Sequence, residues 1–195
     1  MRDVTNQNFG YLISYILPGF VALWGVSHIS PTVAGWLGTQ SSEGPTVGGF
    51  LYVTIGSVGA GLTISTIRWA LLDAIHHRTG IPLPPQDFSK LQDKLTAYQY
   101  LVGTHYDYYK FHSNMAVSLA MTFVILVFAE GWSSIRLLPF FIGIEIVFWF
   151  GSRDTLRKYH AQGRMLLGEP DVPKSPFTKS GKSEIEGPLR EAYTE

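Results

Sequence analysis

Four stretches that are almost free of charge limit most strongly how this chain can fold. They comprise residues 9–29, 47–67, 113–132 and 137–152, and the first reads FGYLISYILPGFVALWGVSHI. A helix of about 20 apolar residues crosses the roughly 30 Å hydrocarbon core of a bilayer. We therefore predict an all-α integral membrane protein with four transmembrane helices that contact the lipid bilayer.

Composition agrees with this fold class and excludes several functions. Charged residues make up 15% of the chain, whereas about a quarter is usual for a soluble domain. The formal net charge is zero, so no basic field favours nucleic acid as a partner. The chain contains no cysteine, which excludes disulfides, thiolate metal sites and thiol catalysis.

Basic residues indicate how the spans are oriented. The loop at 30–46 holds no Lys or Arg and the turn at 130–136 holds one, whereas residues 68–112 hold five and residues 153–195 hold eight. In multi-pass proteins the excess of Lys and Arg lies in the cytoplasmic loops. We therefore predict a multi-pass protein of the cell inner membrane, with both termini and the 68–112 passage in the cytoplasm.

The chain divides into a membrane domain at 1–163 and a cytoplasmic tail at 164–195. Within the domain, the 68–112 passage is predicted to be helical and to include an amphipathic helix, with a bend at Gly103. The apolar residues of that helix recur at steps of three and four: Phe88, Leu91, Leu95, Tyr98 and Val102. The tail is rich in Pro, Ser, Lys and Glu, a composition that does not bury enough surface to order itself alone.

The second apolar stretch is crowded with small residues. Gly56 and Ala60, like Ser57 and Gly61, stand four positions apart and therefore share a helix face. Faces built from small residues let two membrane helices approach closely. We interpret this face as a helix-packing surface, and the lining of a pore is the alternative.

Histidines and carboxylates gather just outside the second and third spans. Asp73, His76, His105 and Asp107 fall within a band of roughly 5 Å in depth when each helical residue advances about 1.5 Å. Imidazole and carboxylate are suitable ligands for Zn or Fe, which makes these four the candidate metal ligands. Hydrogen bonding to neighbouring helices and headgroups is the favoured interpretation, and a proton-handling site is a third. No metal is favoured, and no cofactor is identified.

Glu145 is an ionisable residue near the middle of the fourth span. A carboxylate at that depth is costly unless it is neutralised, paired or turned towards a cavity. We expect it to face inward, either protonated or hydrogen-bonded to a Ser or Thr of the second or third span. An ion or proton path, or a contact with a partner subunit, is the functional alternative. Phosphate-loop and nucleophile-elbow motifs are absent from the sequence, so no catalytic residue is predicted.

Three segments carry a resemblance to other proteins: DAIHHRTGI, PQDFSKL and HYDYYKFHSNMAV, which lie within residues 73–117, about a quarter of the chain. In these segments the chain resembles small multi-pass bacterial membrane proteins to which no activity is assigned. The resemblance implies a bacterial origin and nothing about chemistry.

These features favour a non-enzymatic accessory or scaffolding subunit of a larger membrane protein assembly. The absence of a catalytic motif, the small-residue face and the tail are the reasons for this prediction. A homo-oligomeric pore or effector, with Glu145 lining an ion or proton path, is one alternative. A membrane-bound His/Asp metalloenzyme is another. The expected partners are other membrane protein subunits or further copies of the chain.

Overall fold

The computed structural model describes residue 10 and residues 12–39, 46–81, 88–91 and 94–168. Within these ranges every regular element is helical and no strand occurs, which confirms the all-α prediction. Residues 82–87 and 92–93 of the 68–112 passage and the tail beyond residue 168 lie outside the described residues, and so do the predictions made for them.

Six helices make up the described part of the chain. They are α1 (Leu12–Ser27), α2 (Pro31–Leu37), α3 (Val47–Arg78), α4 (Leu95–Leu101), α5 (Asp107–Glu130) and α6 (Leu138–Leu167). A short 3-10 helix, Phe88–Leu91, precedes α4, and a second one, Gly131–Leu137, reverses the chain between α5 and α6. Gly131 has φ +69°, a left-handed backbone that glycine adopts without steric strain.

One local expectation differs from the structure. Residues 30–46 are predicted as a loop, but α2 forms there because the Ser30 hydroxyl accepts a hydrogen bond from the Val33 amide and Pro31 occupies the first turn. At Gly103, where a bend is predicted, a π-helical turn, Val102–Tyr106, joins α4 to α5 within one continuous helical stretch. The bend itself stays a prediction.

Helix α1 lies between α3 and α5, and α6 packs on α5. A Cβ atom added at Gly19 would lie 1.8 Å from the Ser57 carbonyl oxygen, and one added at Gly61 would lie 2.0 Å from that of Tyr15. The backbones of α1 and α3 are therefore in direct contact. Of the predicted small-residue face, Ser57 and Gly61 are buried at this contact, whereas Gly56 and Ala60 are half-buried.

Buried hydrogen bonds join α1 to α5. The Ser14 hydroxyl donates to the Asp107 carbonyl at 2.9 Å, and the Asn114 amide donates to the Ser14 carbonyl at 2.7 Å. Nearer the other end of the bundle, the Thr122 hydroxyl donates to the Val21 carbonyl at 3.1 Å. Bonds of this kind hold helices together where lipid provides no hydrophobic drive for their association.

Two helical stretches, Val47–Arg78 and Leu95–Leu167, are long and apolar enough to cross a membrane. The second includes α4, α5 and α6. In the most apolar windows of these two stretches only 22% and 33% of the residues are buried. The core helix of a soluble protein would bury most of its residues. Helix α1 is also apolar but shorter.

Candidate functional site

Three π-helical turns occur in the described residues: Leu12–Ile16, Trp69–Asp73 and Val102–Tyr106. A π turn is rare, and it is often found where a helix carries a functional residue. Each of the three contributes a side chain to one polar region, namely Ser14, Asp73 and Tyr106. This region lies at the end of the bundle where α3 and α6 extend beyond their apolar segments.

The π turn in α3 places Arg68 and Asp73 on one face. Residues five apart on a regular α-helix point about 140° away from each other, since each advances about 100°. In the structure, Arg68 Nη1 lies 3.1 Å from Asp73 Oδ1 and 3.4 Å from Oδ2. The Tyr109 hydroxyl donates to the same Oδ1, and the Arg68 guanidinium lies 5.2 Å from the centre of the Tyr109 ring. Arg68 is only 5% exposed, so these contacts replace its hydration.

His76 is fully buried beside this trio. Its Nε2 lies 3.1 Å from Ser152 Oγ, and the Ser152 hydroxyl donates to the Trp149 carbonyl at 2.9 Å. Because that hydroxyl proton is already used, His76 Nε2 carries the hydrogen and donates it to Ser152. His76 lies nine positions beyond the predicted second span, and burial, followed by the nearby charge of Arg153, lowers its pKa to about 4. The ring is therefore neutral near pH 7.

A cavity of about 210 Å³ opens beside Asp73, between the end of α3, the start of α5 and α6. The described residues that line it are Asp73, His77, Tyr106, Tyr109, Leu156, Tyr159 and His160. The exposed His77 forms part of the wall, so the cavity reaches the surface there. His77 Nδ1 donates to the Ile81 carbonyl at 3.0 Å, which leaves Nε2 of the neutral ring as an acceptor.

His160 forms the buried side of the cavity. It is 5% exposed, and its Nδ1 has no hydrogen-bond partner among the described residues. Its position lies eight residues beyond the predicted fourth span. Burial is the main cause that lowers its pKa to about 4, and the charges of His77 and Arg164 act in the same direction. His160 is therefore neutral near pH 7 and keeps hydrogen-bonding capacity unused.

Tyrosine rings form the remaining walls. The centres of the Tyr106 and Tyr159 rings lie 5.1 Å apart, and those of Tyr106 and Tyr109 lie 5.9 Å apart. The Tyr98 and Tyr159 hydroxyls are joined by a hydrogen bond of 2.8 Å. Lys110 Nζ lies 2.6 Å from the buried Asp107 carboxylate and 5.2 Å from the centre of the Tyr106 ring. The cluster is therefore aromatic, polar and close to two buried ion pairs.

The structure separates the four candidate metal ligands. Asp73 contacts Arg68 and Tyr109, His76 contacts Ser152, and Asp107 pairs with Lys110. His105 lies on the π turn between α4 and α5 and is half-buried. Within the described ranges, no three His, Cys, Asp or Glu residues are grouped so that they could hold a metal ion.

Glu145 lies on the side of α6 that faces α5. It is half-buried, and its carboxylate lies beside the backbone of Ala120. The Oε1 atom is buried and has no hydrogen-bond partner among the described residues. Among the described residues no Ser or Thr hydroxyl bonds to Oε1, so of the two expected states only the protonated one stays a prediction.

No family model, curated protein or solved structure matches this chain. The resemblance to small bacterial membrane proteins stays a prediction. The site must therefore be interpreted from its own chemistry: two neutral imidazoles, a carboxylate held by Arg68 and Tyr109, and aromatic walls. These groups suit the binding of a small polar ligand.

Sequence reasoning missed the members of this region that lie on α6. They are Ser152, Leu156, Tyr159 and His160. They recur at steps of four, three and one along α6 and so share one face. That periodicity was available in the sequence. The sequence did not indicate that this face of α6 packs against the end of α3.

Proposed function

We propose that this protein is a four-span inner-membrane protein with both termini in the cytoplasm, and that it acts as a non-enzymatic accessory or scaffolding subunit of a larger assembly. The spans are α1, the apolar part of α3, α5 and the apolar part of α6. The polar region around Asp73 and the cavity then lies at the cytoplasmic edge of the bilayer. This placement follows from the Lys and Arg counts.

Exposed apolar side chains support the membrane setting. Large apolar residues more than half exposed cover the outer faces of α3 and α6: Phe50, Ile55, Leu62, Phe140, Val147 and Phe150. In water such continuous apolar surfaces cause association, whereas in a bilayer they contact lipid chains. The buried sides of these two helices face the protein, where α3 packs against α1 and α6 packs against α5.

Glu145 is the observation that carries the proposed subunit role. A carboxylate within the hydrocarbon region is destabilising by several kcal/mol unless a partner satisfies it. The backbone of Ala120 on α5 hydrogen-bonds the carboxylate, and its Oε1 is buried without a hydrogen-bond partner among the described residues. Because the residue as a whole is only half-buried, a span of another chain seated in the groove between α5 and α6 would complete the shielding of this carboxylate from lipid.

The same groove could be occupied by a second copy of this chain, which is the pore hypothesis. One observation speaks against that alternative. The most deeply buried members of the small-residue face, Ser57 and Gly61, are already packed against α1 and are not free to line a path. The metalloenzyme hypothesis is disfavoured because three of its four candidate ligands make separate contacts and no three potential ligands are grouped among the described residues.

A photo-crosslinking experiment tests the subunit role. A photoreactive residue is placed in turn at Ile142 and Ile146, which flank Glu145 and are about half exposed, and at Leu51 on α3 as a control site. We expect crosslinks to another protein from the α6 sites in native membranes. These should be lost in Glu145→Leu and kept in Glu145→Gln, which can still hydrogen-bond.

Three outcomes would contradict the proposal. Crosslinks to lipid alone from both α6 positions would remove the basis for a partner. Crosslinks to a second copy of the chain would replace the accessory role with self-association. Equal crosslinking from Leu51, unaffected by Glu145→Leu, would show that the groove is not the contact.

A further inference from the structure

We infer that the cavity between α3, α5 and α6 binds a primary ammonium group, carried either by a lipid headgroup or by a small free amine. The inference rests on the cavity itself. It does not depend on whether Glu145 contacts a partner chain, so the two proposals can fail separately.

The cavity is large enough for such a group. Its volume of about 210 Å³ exceeds the roughly 150 Å³ of an engineered cavity that accommodates benzene. An aminoethyl group is smaller than benzene, so it fits with room for a bridging water. The exposed wall at His77 provides the entrance.

The lining supplies hydrogen-bond acceptors from three directions. The Asp73 carboxylate accepts from Arg68 and Tyr109, and a carboxylate has about four acceptor positions in all. His77 Nδ1 donates to the Ile81 carbonyl, so the neutral form of this ring has its acceptor lone pair on Nε2. The neutral ring of His160 has one acceptor nitrogen. A primary ammonium has three N–H donors, which matches this set.

The aromatic walls favour a cation over a neutral donor. The faces of tyrosine rings attract cations within about 6 Å of the ring centre. Two tyrosine rings of this cluster already have a cation close to their faces: Arg68 lies over Tyr109, and Lys110 lies over Tyr106. None of the described lining residues is Lys or Arg, and burial keeps the His160 ring neutral near pH 7 by lowering its pKa. The nearest permanent positive charge is the Arg68 guanidinium, which lies behind Asp73 and is paired with it.

A purely structural role does not explain the unused hydrogen-bonding capacity of the buried His160. It is 5% exposed and lines the cavity, yet its Nδ1 has no hydrogen-bond partner among the described residues. An unmade hydrogen bond at a buried polar group destabilises a protein by about 1–3 kcal/mol in general. A bound donor, or the water that it holds in place, would remove that penalty.

The experiment uses the full chain in nanodiscs and distinguishes the two sources of the amine. One arm titrates ethanolamine hydrochloride into protein in phosphatidylglycerol nanodiscs by calorimetry. The other uses native mass spectrometry to compare retention of phosphatidylethanolamine with that of phosphatidylcholine from mixed nanodiscs. Ethanolamine binding in the first arm indicates a free amine. Selective retention of phosphatidylethanolamine without ethanolamine binding indicates the lipid headgroup.

Variants connect binding to the cavity. We expect Asp73→Asn to weaken binding at least about tenfold, because a charge-assisted hydrogen bond is lost. His77→Ala should weaken binding several-fold. Because the His77 side chain is exposed, its removal should not impair folding. The matched controls are Asp154→Asn and His28→Ala. Asp154 is an exposed carboxylate on α6, and His28 is an exposed histidine that directly follows the last residue of α1. Both controls should bind as the parent does.

The inference is overturned if neither arm shows binding, or if phosphatidylcholine is retained as strongly as phosphatidylethanolamine while ethanolamine does not bind. It is also overturned if binding survives unchanged in both Asp73→Asn and His77→Ala. If Asp73→Asn does not fold, judged by its elution in size-exclusion chromatography, the His77→Ala result decides alone.

Discussion

Arg68 and Asp73 form a buried ion pair at 3.1 Å although five residues separate them on one helix. The π turn Trp69–Asp73 makes this possible, because it adds the residue that rotates Asp73 back towards Arg68. Tyr109 of α5 then donates to Asp73, so the pair also fixes α5 against α3. The geometry of the cavity depends on this local irregularity.

The first prediction concerns the Arg68–Asp73 pair. Asp73→Ala should lower the free energy of unfolding by about 3–5 kcal/mol, because it leaves a buried guanidinium without its counter-charge. The double variant Arg68→Met, Asp73→Leu should lose much less, since both charges disappear together. The midpoint of SDS-induced unfolding, followed by tryptophan fluorescence, measures both.

The exposed pair Asp154–Lys158 on α6 serves as the control, at 2.6 Å between charged atoms. Asp154→Ala should change the free energy of unfolding by less than about 1 kcal/mol, as solvent screens such pairs. Equal losses at the buried and the exposed pair would refute the role given to Asp73.

The second prediction concerns the contact between α1 and α3. Gly61→Ala places a methyl group where the Tyr15 carbonyl oxygen lies, 2.0 Å away, so the helices must separate. We expect a loss of roughly 1–3 kcal/mol, as is typical of overpacking. Gly59→Ala, where nothing lies within 4 Å, is the matched control and should be neutral or slightly stabilising. A loss of stability in both variants would point to the glycine backbone rather than to the contact.

The third prediction concerns acid stability. Burial lowers the pKa of His76 to about 4, against 6.5 for an exposed histidine, so the unfolded chain binds more protons between these values. Stability should therefore fall as pH falls from about 6.5 towards 4 and should be constant above that window. His76→Gln should reduce this slope and leave the part due to His160, whose pKa burial also lowers to about 4. His28→Gln is the control at an exposed position. Unfolding midpoints at pH 4.5, 5.5, 6.5 and 7.5 provide the measurement, and an unchanged slope in His76→Gln would contradict it.

The sequence predicts the helical class from the length of its charge-free stretches and the small-residue face from helical periodicity. Ser57 and Gly61 stand four apart, and a helix necessarily places them together. The pairing of Arg68 with Asp73 could not be predicted in the same way. A spacing of five places two residues on different faces of a regular helix, and nothing in the sequence of α3 marks the π turn.

The metal hypothesis illustrates a second limit. The depth of a residue beyond the bilayer edge can be calculated from its number along the helix. By that measure Asp73, His76 and Asp107 lie at similar depths. Depth does not determine the rotation of each helix about its axis. In the structure Asp107 faces Lys110 on its own helix, and His76 faces Ser152 on α6. His160, which completes the polar region, lies on α6, and none of the four candidate ligands comes from that helix.

Membrane topology is the central claim, and the absence of native cysteine makes it directly measurable. Single variants Thr39→Cys and Ser133→Cys mark the predicted outer turns, and Arg78→Cys and Lys158→Cys mark the cavity side; all four side chains are exposed. In intact cells with a permeabilised outer membrane, an impermeant maleimide should label the first two and not the last two. Opening the inner membrane should then allow labelling of Arg78→Cys and Lys158→Cys. Labelling of either cavity-side position in intact cells, or of all four without a change on opening, would contradict a four-span protein whose polar site faces the cytoplasm.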